Sequence, residues 1–89
     1  MIPKGDVVPE LSAAVADLVV DCTGLACPLP VVKTAQAIKN LARGQVLELL
    51  ATDPGVEPDM RAWSSRTGND LLGIDKQADV FRILIRRVK

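Results

Sequence analysis

Cys22 and Cys27 are the only thiols of the chain, and the run Cys27-Pro28-Leu29-Pro30 is the one place where residue types and spacing point to chemistry. There is no histidine, so Ser-His-Asp and Cys-His nucleophile arrangements cannot be assembled from this chain. Two cysteines without histidine also argue against a closed structural zinc site within one chain, and none is expected. Any reactive cysteine here must draw its activation from local geometry or from a partner.

Cys27 falls where a tight strand-to-helix connection ends. Proline suits the first position of a helix because its fixed φ is helical and its missing N–H has no partner there anyway. Pro28 fits that position, and Pro30 still lies in the first turn. A residue before proline is pushed toward extended backbone, which keeps Cys27 outside the helix near its N-cap. A helix N-terminus carries about half a positive charge. That field predicts a thiolate at Cys27 with a pKa below that of a free cysteine, helped by the backbone N–H groups of Leu29 and Val31. The plainer reading is a buried core cysteine followed by a proline-marked helix start. The residues alone leave both open.

The elements that would position this cysteine follow from periodicity. Leu18 to Cys22 is a β-branched apolar run stopped by Thr23-Gly24, a short strand with Val20 and Cys22 facing inward. A helix is predicted from about Pro28 to Ala42, with Val31, Ala35, Ile38 and Ala42 on one face and Gly44 beyond its end. Gln45 to Thr52 alternates as a strand. A second helix starts between Pro54 and Pro58 and ends at Thr67-Gly68, burying Val56, Met60, Trp63 and Thr67. Leu71 to Lys76 is a weaker strand interrupted by Gly73, Gln77-Ala78-Asp79 a turn, and Val80 to Val88 a strand with Phe81, Ile83 and Ile85 on one face. The order β-α-β-α-β-β predicts an α+β fold, two helices on one face of a four-stranded mixed sheet. Arg82 and Arg86 flank Leu84 on the other side, so that face is expected to meet solvent or a partner. Residues 1–17 read as an N-terminal extension broken by Pro3, Gly5 and Pro9, and residues 18–89 as the domain.

Composition narrows the function classes. The 89 residues make one domain, with 11 basic and 11 acidic side chains and a formal net charge of zero. Nucleic-acid binding driven by global charge would need a basic excess. With no Tyr, one Phe and one Trp, a base-stacking platform is hard to build. No apolar run approaches the roughly 20 residues a membrane span needs. No convincing export signal is present, which makes a reducing cytoplasm the expected compartment and both cysteines free thiols.

The remaining candidates have simple structural readings. Cys22 is expected to be core, since its spacing from Cys27 is not the Cys-x-x-Cys redox motif, although a regulatory disulfide is conceivable. Asp53 is expected to cap the second helix. Trp63 and Met60 read as core. Lys33, Lys39, Arg61 and Arg66 could form one basic rim, and Arg82, Arg86 and Arg87 another, with solvated surface charge as the default.

The stretch Asp21-Cys22-Thr23-Gly24-Leu25-Ala26-Cys27-Pro28-Leu29-Pro30 resembles the hallmark of the TusA/SirA-like sulfur-carrier family, a Gly-Leu pair followed by Cys-Pro-x-Pro. Val31-Val32-Lys33-Thr34, Gly44-Gln45-Val46-Leu47, Ala51-Thr52-Asp53-Pro54-Gly55 and Trp63 through Asn69 agree further, and the similarity runs from about Leu18 to the C-terminus. The resemblance implies a two-layer α/β sandwich. It implies that Cys27 accepts sulfane sulfur as a persulfide and passes it on, with Gly24, Leu25, Pro28 and Pro30 positioning it and no bound cofactor. Implied donors are cysteine desulfurases or rhodanese-like proteins. Implied acceptors serve tRNA thiolation, molybdenum cofactor biosynthesis or sulfur oxidation, and Thr52-Asp53-Pro54-Gly55 looks more like carriers of sulfur oxidation. The competing readings are a protein- or RNA-interaction module with a structural cysteine, and a thiol switch formed by Cys22 and Cys27.

Overall fold

The computed structural model describes residues 16–89. All but the last two residues of the expected N-terminal extension lie outside the described residues. Four strands and two helices follow in the expected order: β1 (Leu18–Cys22), α1 (Leu29–Ala37), β2 (Val46–Ala51), α2 (Val56–Thr67), β3 (Asp70–Gln77) and β4 (Val80–Arg86). The sheet order is β1-β2-β4-β3. β1 runs parallel to β2, with Cys22 opposite Ala51, and the other neighbours are antiparallel. A parallel pair cannot be joined by a tight hairpin, and α1 makes the crossover.

Period two sorts the strands as the sequence predicts. Cys22, Leu47, Leu49, Ala51, Phe81, Ile83 and Ile85 are buried on the helical side, where Ile38, Val56, Met60 and Trp63 close over them. Trp63, Met60 and Cys22 are therefore core residues, as expected. α2 ends at Gly68, whose φ of 83° is left-handed and whose N–H bonds to the Ser64 carbonyl at 2.9 Å.

Three details depart from the sequence reading. α1 stops at Ala37 and tightens into a 3₁₀ turn over Ile38–Asn40, short of Ala42. The Arg87 guanidinium, arriving just past β4, donates to the carbonyls of Ile38, Lys39 and Leu41. A side chain 49 positions away from Ile38 thus satisfies the helix end. Leu41 is extended, and Ala42 is exposed. The buried stripe of α1 accordingly runs through Pro30 and Thr34 to Ile38 and Leu41, with Val31 and Ala35 half-buried. In β3 the irregularity near Gly73 is a register shift between Leu71 and Gly73.

The outer face of the sheet carries Glu48, Arg82, Leu84 and Arg86. Arg82 pairs with Glu48 at 2.7 Å and Arg86 with Asp70 at 2.8 Å. With Arg87 capping α1, the expected second basic patch is not a free one. Leu84 lies between the two pairs, on the side of the sheet opposite the helices, and is only 2% exposed. No helix among the described residues is long and apolar enough to cross a membrane.

Candidate functional site

Because β1 and β2 are parallel, the loops that follow them leave the sheet side by side, and together they build the surroundings of Cys27. In the first loop Asp21 accepts from the Thr23 N–H at 3.0 Å and from its hydroxyl at 2.7 Å. These two donors hold the Asp21 carboxyl below the usual carboxylate range. Leu25 N–H bonds back to the Cys22 carbonyl at 3.1 Å, and its half-buried side chain packs on the core. Gly24 has φ of 82°, a conformation L side chains rarely adopt. Its N–H reaches across to the Thr52 hydroxyl of the second loop at 2.9 Å.

Asp53 ties the two loops together. Its Oδ2 accepts from the Cys27 N–H at 2.6 Å and its Oδ1 from the Gly55 N–H at 3.3 Å. This corrects its expected role: α2 has Gly55 at its N-cap with no side-chain cap, and the Asp53 carboxylate serves the Cys27 loop instead. Gly55 sits close enough that a Cβ there would lie 3.8 Å from the Cys27 Cβ.

Pro28 is the N-cap of α1 rather than its first helical residue, and the Cys27–Pro28 peptide is cis. Pro30 is the second helical residue and is fully buried, pinning the start of α1 to the core. Cys27 is exposed and Cys22 buried, both as free thiols. The Leu29 N–H is used by the Ala26 carbonyl at 2.9 Å, so it does not face the sulfur.

The electrostatics of Cys27 run opposite to the expectation from the helix start. Its thiol donates to Oδ2 of Asp59, in the first turn of α2. That hydrogen bond, then partial desolvation, then the negative charges of Asp59 and Asp53 push the Cys27 pKa up. The carboxylates of Asp59 and Asp53, which the helix-start argument leaves out, set this direction. A groove between α1 and α2 opens beside the sulfur, encloses about 230 Å³, and is lined by Cys27, Pro28, Val31, Asp59, Ala62 and Arg66.

Of the proposed positioning residues, Gly24, Leu25, Pro28 and Pro30 all lie in the loop or helix start that carries Cys27. Of the first basic rim, Arg66 alone lines the groove, and Arg61 pairs with Glu57 at 3.2 Å along α2. Asp59 is the residue that sequence reasoning missed. It stands 32 positions from Cys27, and only the parallel pairing of β1 with β2 brings the start of α2 beside the start of α1.

The model of the family described as sulfurtransferase TusA matches residues 18–87, and the chain belongs to that family of sulfur-transfer proteins. The sulfur carrier protein TusA of Allochromatium vinosum is 37% identical over 71 residues, covering 80% of this chain and 93% of that protein. The sulfur carrier protein TusA of Pseudomonas putida is 39% identical over 71 residues, covering 80% and 89%. Bacillus subtilis YrkF is 43% identical over 72 residues, but this covers 81% of the chain and only 39% of YrkF. The crystal structure of a SirA-like protein from Desulfitobacterium hafniense shares the fold, with a TM-score of 0.70 at 20% identity over 81% of this chain and 99% of that one.

Proposed function

We propose that the chain takes up sulfane sulfur as a persulfide on Cys27 and hands it to an acceptor protein. The observation that carries this reading is the placement of Cys27: exposed, at the mouth of a groove, and fixed through its own backbone N–H by Asp53. A merely structural cysteine would be buried, as Cys22 is. Gly24, Leu25, Pro28 and Pro30 are assigned to positioning, because they shape the loop and the helix start from which the sulfur projects.

Uptake from a donor persulfide is an exchange without net oxidation. The Cys27 sulfur bonds to the donor's terminal sulfur, the donor's own S–S bond breaks, and its electron pair stays on the departing thiol. No histidine is present to drive such a step alone, so the donor and acceptor proteins supply the remaining groups. The family resemblance favours a cysteine desulfurase or a rhodanese-like protein as donor. The likeness of Thr52-Asp53-Pro54-Gly55 to carriers of sulfur oxidation supports that pathway over tRNA thiolation or molybdenum cofactor biosynthesis. A reducing cytoplasm fits a thiol that must remain free.

Intact mass spectrometry after incubation with sulfane-sulfur donors tests the proposal. The protein should gain the mass of sulfur, Cys22→Ser should gain it equally, and Cys27→Ser should not. Failure of the native chain to gain sulfur from any of several donors refutes it.

A further inference from the structure

Asp59 has no place in the Cys-Pro-x-Pro hallmark, yet it is the one side chain bonded to the sulfur. The Cys27 thiol is a donor and the Asp59 carboxylate is an acceptor only. We propose that Asp59 holds the empty protein's Cys27 as a protonated thiol and lets go of it once a second sulfur is attached. The second half rests on the persulfide reading above; the first does not.

The argument is one of valence. In the empty form Sγ carries the hydrogen that bonds to Asp59 Oδ2. In the exchange, Cys27-SγH and R-S-SH become Cys27-Sγ-SH and R-SH. The new bond joins Sγ to the transferred sulfur, and the donor's S–S bond breaks with its electron pair remaining on R-S. The proton leaving Sγ passes along its existing hydrogen bond to Asp59 and on to R-S. Afterwards Sγ bears no hydrogen, so the contact that held it cannot exist. Asp59 then faces the lone pairs of Sγ, and any negative charge on the terminal sulfur is repelled.

The charged groups around the sulfur give that repulsion a direction. Asp53 faces Cys27 from the loop after β2, and Asp59 from α2. Arg66, two turns further along α2, lines the same groove, while α1 contributes only uncharged Pro28 and Val31. A loaded, anionic sulfur is driven away from the two aspartates and along the groove toward Arg66. The raised pKa of the empty thiol agrees with the first half of the proposal. One carboxylate thereby distinguishes the two states of the protein: the empty one guarded, the loaded one presented.

The test is the pH dependence of Cys27 alkylation by iodoacetamide in the full chain, followed by peptide mass spectrometry. In the empty protein, Asp59→Asn should move the midpoint of the rate profile to lower pH and raise the rate at neutral pH by about tenfold for each unit moved, since thiolate is the reacting form. Asp59→Ala, with folding checked by circular dichroism, should do the same. An unchanged or higher midpoint in both variants overturns the proposal, and a loss of groove shape alone would not lower it. After loading with polysulfide, Asp59→Asn should move the midpoint for alkylation at the terminal sulfur by less than in the empty form, because repulsion remains but the hydrogen bond does not. A shift as large as in the empty form overturns the release half, and so does a chain that does not load. Failure to load refutes the persulfide reading but leaves the empty-form comparison to decide the guarding role.

Discussion

Thr34 is fully buried in α1, and its hydroxyl has no hydrogen-bond partner among the described residues. A buried donor or acceptor left unpaired costs about 1–3 kcal/mol. Valine keeps the branched shape and the helix propensity of threonine while putting a methyl group where the hydroxyl stood. The added methyl is worth at most ~0.8 kcal/mol in a core environment. Thr34→Val should therefore stabilise the domain by about 1–2 kcal/mol, against the usual sign for a change at a fully buried position. In a domain of this size each kcal/mol moves the melting temperature by roughly 4–8 °C. Urea denaturation gives the cleanest reading: the midpoint should rise with an unchanged slope. Thr34→Ser, which keeps the hydroxyl and loses the methyl, should be less stable than the native chain. If Thr34→Val is neutral or destabilising, the hydroxyl has a partner in solution and the accounting is wrong.

Gly24→Ala should cost about 1–2 kcal/mol from backbone strain alone, because φ is 82° and a Cβ would meet nothing within 4 Å. A variant as stable as the native chain in urea would contradict this. Arg87→Ala should cost about 1–2 kcal/mol by stripping the carbonyls at the end of α1 of their donor, and hydrogen exchange should quicken around Leu41. Stability should also fall at alkaline pH. Burial raises Cys22, and Asp59 raises Cys27, above the ordinary thiol value of 9.0. A raised folded-state pKa gives stability that is complete below the unfolded value and is lost as pH rises through the folded one. The urea midpoint should thus decline above about pH 9, and less steeply in a Cys22→Ala, Cys27→Ala double variant. Equal slopes would refute the assignment.

Much of this was legible because it is local. The bounds of β1, the faces of β2 and β4, the end of α2 at Gly68 and the position of Cys27 before a helix all follow from short-range pattern. What escaped is what the topology brings together. The premature end of α1 depends on Arg87, from the far end of the chain. The Asp53 carboxylate looked like a helix cap and is instead bonded to Cys27 and Gly55. The Cys27 pKa runs against the helix-start expectation for the same reason. Helix-start electrostatics can be read from Pro28 and Pro30, but Asp59 enters only when α2 is laid beside α1. An acidic residue in an early turn of a helix is so ordinary that nothing in sequence sets it apart.

The parallel pairing of β1 with β2 has a consequence for how the domain can be joined to others. Cys27 follows the finishing ends of those strands. Residue 17 enters at the opposite pole, where its backbone N–H bonds to the Val46 carbonyl, and β4 finishes there too, with Arg86 opposite Val46. Residue 17 and the end of β4 thus both lie at the pole remote from the thiol. A tether, an affinity tag or a neighbouring domain added after residue 89 therefore starts at the pole away from the cysteine. In YrkF the matching stretch makes up 39% of a longer protein.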